Sequence, residues 1–267
     1  MLVIAGAAGA ALVVVPLVGL LVRTPWSSLG ERLSDPVVLD AARLSVLTSL
    51  LAATLATVLG VPLAWLLART DFPGRRLLRA VVTLPMVLPP VVGGAALLFA
   101  LGRRSAIGRL ADEQLGVVLP FSTTGVVIAN TFVALPFLVL TVEGAIAGLD
   151  GRHEAVASSL GASRWTVFRR IVLPMIRPSL GAGIVLAWAR AFGEFGATIT
   201  FAGNLEGRTR TLPLAVFVQL DGDRDTAIAM SLLMVVVSVG ILFALRERWW
   251  PADRSGRRGD LASGGHR

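Results

Sequence analysis

The chain of 267 residues contains no cysteine, and every one of its 25 basic side chains is arginine, with no lysine at all. The first absence excludes disulfides and thiolate chemistry. The second excludes a P-loop ATPase, because a Walker A loop needs a lysine to reach the nucleotide phosphates. Histidine is scarce: His153 and His266 lie in unrelated segments and make no metal-ligand spacing, so no metal site is read from them. No paired catalytic carboxylates and no Ser-His arrangement support a membrane-embedded enzyme. Period-two alternation is absent, which argues against a β-barrel.

What the chain has is apolar length. It is 55% hydrophobic, with a mean hydropathy of +0.76. Six stretches approach or exceed the roughly 18–20 residues that cross a bilayer as a helix: Leu2–Val22, Leu44–Leu67, Ala80–Leu101, Gly125–Val142, Leu180–Ala202 and Ala227–Leu245. The first lacks a basic n-region and is longer than a typical signal-peptide core, so it reads as a retained span. The expected fold class is an all-α membrane protein with six transmembrane helices, one domain over residues 1–245. The arginine-, glycine- and serine-rich tail 246–267 reads as disordered, with Trp249 and Trp250 as a headgroup-level anchor.

Six spans sort the connecting segments onto two sides. Segments 69–79, 143–178 and 246–267 carry 15 arginines, and segments 23–43, 102–124 and 203–226 carry nine. The positive-inside rule places the richer side, with both termini, in the cytoplasm. The net charge of +8 is therefore an orientation signal. Arginines spread over several loops do not form a nucleic-acid surface.

Three segments depart from plain anchors. The third stretch contains Pro85, Pro89, Pro90, Gly93 and Gly94, which remove donors and loosen a helix. Such a segment is tolerated in a membrane only against protein or a hydrated cavity. In the fourth, Asn130, Thr131 and Pro136 read as helix-to-helix contacts. In the fifth, Arg190 and Glu194 stand at i and i+4 on one helix face, beside Gly193, Gly196 and Thr198. A charge at that depth needs a partner or water, so the face reads as a translocation path or gate, or as an ion pair that only fixes packing. The outer segment Asn204–Phe217 reads either as a receptor for an anion or partner, or as a solvated loop with a short interfacial helix.

Segment 143–178 differs from all of these. Ala155, Val156, Ala157 and Leu160 form a small apolar group at near-helical spacing, and Gly161 follows where a helix would turn. Trp165, Phe168, Ile171 and Val172 then give a second amphipathic helix, with Arg164, Arg169 and Arg170 on its polar part and Pro174 and Pro178 limiting it. Composition alone divides this hairpin evenly between a plug for another protein and a helix pair on the membrane surface.

The segment resembles the EAA loop of ABC importer permeases, whose pattern is Glu-Ala-Ala, three residues, Gly, nine residues, Ile, one residue, Leu-Pro. Gly161, Ile171, Leu173 and Pro174 match in spacing. The front departs: the family glutamate position holds Ala155, followed by Val156 and Ala157, and Glu154 stands one place early. Residues 189–197, then Phe201–Asn204, Gly207–Leu214 and Leu88–Gly94, are similar to the oxyanion permeases for sulfate and molybdate, most of all to the molybdate branch.

The resemblance, which runs from about Leu44 to Leu245, implies a type I ABC importer permease in the bacterial cytoplasmic membrane. It implies a homodimer with two cytoplasmic ABC ATPase subunits and an extracytoplasmic oxyanion-binding protein, embedded in membrane lipid. The coupling loop would be carried by Glu154, Ala155, Val156, Ala157, Leu160, Gly161, Ile171, Leu173 and Pro174. ATP would bind the partner, leaving no cofactor on this chain. Molybdate is the implied cargo, with sulfate, thiosulfate or tungstate as alternatives and a passive channel as the alternative of another class.

Overall fold

The structure is a computed structural model that describes residues 1–249. Every regular element among these residues is helical. α1 (Leu2–Arg23) leads through the short α2 (Leu29–Leu33) to α3 (Pro36–Arg69), followed by α4 (Arg75–Val87), α5 (Pro90–Leu101), α6 (Ala106–Leu115) and α7 (Thr123–Ala147). α8 (Arg152–Ser159) and α9 (Arg164–Val167) form a hairpin, and α9 continues through a π-helical turn, Phe168–Val172, into α10 (Leu173–Phe192). α11 (Gly196–Phe201), α12 (Leu212–Asp221) and α13 (Arg224–Trp249) complete the described chain. Five helices are long and apolar enough to cross a membrane, and α5 with α6, bent by 60°, supply a sixth candidate.

Helix starts follow local chemistry. Asp35 accepts a hydrogen bond from the Val37 amide with Pro36 in the first helical position, and Ser105, Ser122 and Ser163 cap α6, α7 and α9 in the same manner. The cap at Asp35 starts α3 inside the expected outer loop. The helix has 34 residues, about 50 Å at 1.5 Å per residue, longer than the hydrocarbon core is thick.

Two expected spans are not single helices. The third breaks between α4 and α5. Each residue before a proline is pushed out of the helical region, and Leu88 and Pro89 are accordingly extended, with ψ of 136° and 129°. The fifth ends at Phe192. Gly193, Glu194 and Phe195 form a break before α11, so Arg190 and Glu194 do not share a continuous helix. Conversely, Pro174 and Pro178 do not end the helix after the hairpin: residues Arg164–Phe192 form one helix of 29 residues. Here the Leu173 amide bonds back to Phe168 O, the five-residue step of the π turn.

The expected interfacial helix after Asn204 is instead α12, with Leu212 and Ala215 buried against Val38 and Ala41 of α3 and Met230 of α13. The Leu212 amide donates to Ser45 Oγ at 2.6 Å. At the C-terminus, α13 runs past the expected boundary at 245. Residues 250–267, and with them Trp250 and most of the expected tail, lie outside the described residues.

The core is the packing of α3, α7 and α10. Leu138 of α7 is fully buried between two glycines: a Cβ on Gly60 would lie 2.8 Å from Leu138 Cδ2, and one on Gly183 would lie 3.4 Å from Leu138 Cδ1. Small residues let the helix backbones approach, the usual means of packing in lipid. The two broken spans meet by the same device. A Cβ on Gly94 of α5 would lie 2.7 Å from Ala197 O of α11, and one on Gly196 would lie 2.7 Å from Pro90 Cβ. Substitution Gly94→Val should therefore separate α5 from α11, at an overpacking cost of about 1–3 kcal/mol. Thermal unfolding of the detergent-solubilised protein should show a lower midpoint for Gly94→Val. Gly144→Ala, with nothing within 4 Å of the added carbon, should not lower it.

Candidate functional site

The hairpin after α7 is held from below and bare above. α8 ends in a Schellman turn: the Gly161 amide bonds Ser158 O, the Ala162 amide bonds Ala157 O, and Gly161 takes φ +82°. Ser163 then caps α9. Glu154 does not point outward. Its Oε1 accepts from Arg69 at 2.7 Å, tying α8 to the end of α3, and the same guanidinium donates to Leu149 O at 3.3 Å. Glu154, one place early in the motif, thus makes an inter-element ion pair.

The residues named for this loop divide by side. Ala157 and Ile171 pack against the main core, together with Ala162 and Phe168. Ala155, Val156 and Leu160 are exposed, Leu160 at 83%. The apolar group expected at the front of the loop is therefore not gathered into a cluster, because three of its four residues face away from the protein. Leu173 is half-buried and Pro174 exposed, both on the continuous helix. Val167 of α9 and Val172 of the π turn are buried while Trp165 is 67% exposed, so the expected apolar face is rotated along its length.

Sequence reasoning missed a second ion pair on this side. Glu143 of α7 is buried, and Arg79 of α4 donates to its Oε1 from Nε at 2.8 Å and also from Nη2. The signal was present in the sequence: an acid at the end of an apolar run needs a partner. The partner lies 64 positions earlier in the chain, beyond the reach of any local pattern. Nearby, Arg75 Nε donates to Leu67 O at 2.7 Å, satisfying a carbonyl at the end of α3.

The second candidate site is the break between α10 and α11. Arg190 Nη1 lies 2.6 Å from Glu194 Oε2, with side-chain exposures of 28% and 1%. The other carboxylate oxygen accepts from the Ala197 amide at 2.7 Å. Glu194 thus holds the last turn of α10 and the first turn of α11, and its charge faces a helix N-terminus. Thr198 is buried, with its hydroxyl 3.2 Å from Asn130 Oδ1 on α7. Gly196 is buried against Pro90, whereas Gly193 is exposed. Of the five residues named for the path, Arg190 and Gly193 reach open space, while Glu194, Gly196 and Thr198 build the wall behind them.

On the opposite side, Arg32 clamps the start of α13, with Nη1 2.6 Å from Asp223 and Nη2 3.1 Å from Asp225. The Thr226 hydroxyl, bonded to the carboxylate, together with Thr226's amide and Arg32, holds Asp223 below the ordinary carboxylate range. Among the described residues no group of three or more potential metal ligands is found.

The arrangement matches known proteins. The profile of a family described as the binding-protein-dependent transport system inner membrane component matches residues 60–248. A molybdenum transport system permease protein, ModB, of Mycobacterium tuberculosis (strain ATCC 25618 / H37Rv) is 46% identical over 90% of this chain and 91% of its own length. The Escherichia coli (strain K12) protein of that name is 40% identical over 84% of this chain and 99% of its own. Among solved structures, a chain of a bacterial alginate ABC transporter, in complex with an alginate pentasaccharide-bound periplasmic protein, superposes with a TM-score of 0.72. It is 18% identical and covers 91% of each chain, a likeness of fold.

The buried Glu143 carboxylate yields a test. Arg79→Ala should cost about 1–3 kcal/mol by stranding a buried acceptor. Adding Glu143→Gln should recover part of that loss, a non-additivity that thermal unfolding of the single and double variants measures.

Proposed function

Because the chain belongs to the inner-membrane components of binding-protein-dependent transport systems, we propose that it forms the transmembrane path of an ATP-driven importer of molybdate. The observation that carries the coupling part is the hairpin at Gly161. It is anchored to the bundle by Arg69–Glu154 and offers Val156 and Leu160 bare to a partner. The molybdate assignment follows from likeness to molybdenum permeases over most of the chain.

In this reading the chain is a multi-pass protein of the bacterial cytoplasmic membrane, with both termini and the hairpin inside. ATP binds and is hydrolysed on separate subunits, and the chain carries no cofactor of its own. Two copies pair about a twofold axis, since one bundle of this size does not enclose a gated path. The α8 arm of each hairpin, with Val156 and Leu160, seats in a groove of an ATPase subunit. An extracytoplasmic binding protein delivers the anion to the opposite face.

Closure of the ATPase subunits pushes on α8. Gly161 and the Arg69–Glu154 pair pass that push to α3, and the helix that begins at Arg164 passes it to α10. The far end of α10 carries Arg190. A dianion is costly to strip of water, and an unpaired arginine would trap it. Paired with Glu194, Arg190 offers N–H donors without net charge, which favours passage over retention. Selectivity then belongs to the binding protein.

Two measurements test this. Vesicles holding the complete complex should accumulate labelled molybdate only with ATP inside and the binding protein outside. A tenfold excess of sulfate should leave most uptake intact. Dominant competition by sulfate or thiosulfate transfers the assignment to those anions, and flux without ATP makes the chain a passive channel. Gly161 gives a graded series. Nothing lies within 4 Å of its missing Cβ, so the cost of substitution is conformational, about 1–2 kcal/mol for an ordinary residue at positive φ. Gly161→Asn, which tolerates that region, should keep most ATP-driven uptake. Gly161→Val should lose most of it while the protein remains folded in the membrane. Equal uptake in the two variants would remove the hairpin geometry from the coupling step.

A further inference from the structure

Where α3 passes the start of α9, Pro62, Trp65, Arg164, Trp165 and Phe168 line a cavity of about 360 Å³. Its walls are aromatic: Trp65 meets Phe168 edge-on at 6.2 Å between centroids, and Trp165 stacks on Phe168 at 5.8 Å. Its one charged lining residue is Arg164. We propose that this cavity is a binding site for an anionic phospholipid of the inner leaflet, with an acyl chain along α3 and the phosphate against Arg164. The placement in the inner leaflet rests on the orientation adopted above.

Three observations converge on that occupant. The first is continuity with an apolar track. Leu55, Val58 and Leu59 of α3 are exposed, and with Pro62 they recur at helical spacing on one face that leads straight into the cavity. A hydrocarbon chain lying on that face ends at the cavity mouth. The second is depth. Trp65 lies one turn before the end of α3, and Trp165 lies in the first turn after the hairpin. Tryptophans flanking a span at that level mark the headgroup zone.

The third is charge. Arg164, Arg169, Arg170 and Arg177 are all exposed on this helix, and among the described residues none of them forms an ion pair. This contrasts with Arg69, Arg75 and Arg79, which are each paired. Arg169 stands one turn beyond Trp165, outside the cavity lining. A cluster of arginines beside a span attracts acidic lipid, by roughly 1 kcal/mol per residue near the surface. Aromatic walls with a cation at the mouth fit a lipid better than a soluble anion, which would have no use for the apolar track.

Native mass spectrometry of the intact complex tests the site after exchange into phosphatidylglycerol or phosphatidylcholine. Copurification of the ATPase subunit with the unaltered protein is checked first, so a failure of the importer reading shows before any lipid is measured. The unaltered complex should retain phosphatidylglycerol through delipidation and lose phosphatidylcholine. Arg164→Gln should lower the retained phosphatidylglycerol about fivefold, and Trp165→Ala should lower retention of both lipids. Should Trp165→Ala fail to fold, Arg164→Gln against Arg164→Lys decides the matter, with lysine restoring most retention.

Equal retention of the two lipids by the unaltered complex overturns the proposal, as does retention indifferent to Arg164. Release of the ATPase subunit by Arg164→Gln also overturns it, because the face then belongs to that subunit. Conversion of the complex to single copies of this chain assigns the face to the twofold contact and overturns it too.

Discussion

A helix that breaks inside hydrocarbon exposes backbone groups that lipid cannot satisfy. This protein breaks two of its membrane segments, one at Leu88–Pro89 and one at Gly193–Phe195, and it sets the helices beyond the breaks against each other. Gly94 and Gly196 make this possible, since neither site has room for a Cβ. Glu194 takes up the Ala197 amide at the restart of α11, and Thr198 reaches Asn130 on α7. The region is polar because breaks are polar, and closely packed because lipid must be kept from them.

The same bundle is tied unevenly: its core is closely packed, and the outer face of the hairpin is bare. Leu138, wedged between Gly60 and Gly183, locks α7 to α3 and α10. The hairpin at Gly161 is tied to that block by the Arg69–Glu154 pair, by one continuous helix and by Ala157 and Ala162 against the core, while Val156 and Leu160 stand free. Force applied to the hairpin therefore has two exits, through Arg69 into α3 and through the π turn into α10. Arg79–Glu143 attaches α4 to the block separately, close to the same side. The segment that carries the first break is thus fixed at one end by charge and at the other by glycine contact.

Apolar length was legible in the sequence because hydrophobic runs of spanning size have few other uses in a helical protein. Four of the six expected stretches coincide with long helices, and the hairpin was legible from a polar interruption with a glycine at its bend. The breaks were harder to see. Pro89–Pro90 announced one, yet hydropathy averaged across it. Gly193-Glu194-Phe195 announced little, since arginine and glutamate four apart suggest a helix whether or not one is present. The pairing of Arg79 with Glu143, and of Gly94 with Ala197, depends on segments far apart in the chain. Spacing carries no information about such contacts. The arginine pair at Glu154 shows the converse: the motif placed the acid one position out, and the fold found it a partner on another helix.

The π turn at Phe168–Val172 separates two rotational settings on one rod. Each residue in an α-helix turns the following face by about 100°, and a π turn holds one residue more than the α pattern allows. The hairpin side and the bundle side of this helix can therefore be phased independently, as a coupling sleeve joins two shafts whose keyways do not align. Buried Ile176 and exposed Trp165 stand on either side of that offset. Closing the π turn into ordinary helix would rotate the hairpin relative to α10 by roughly a quarter of a revolution, and would turn buried Val167 away from the core that it now joins.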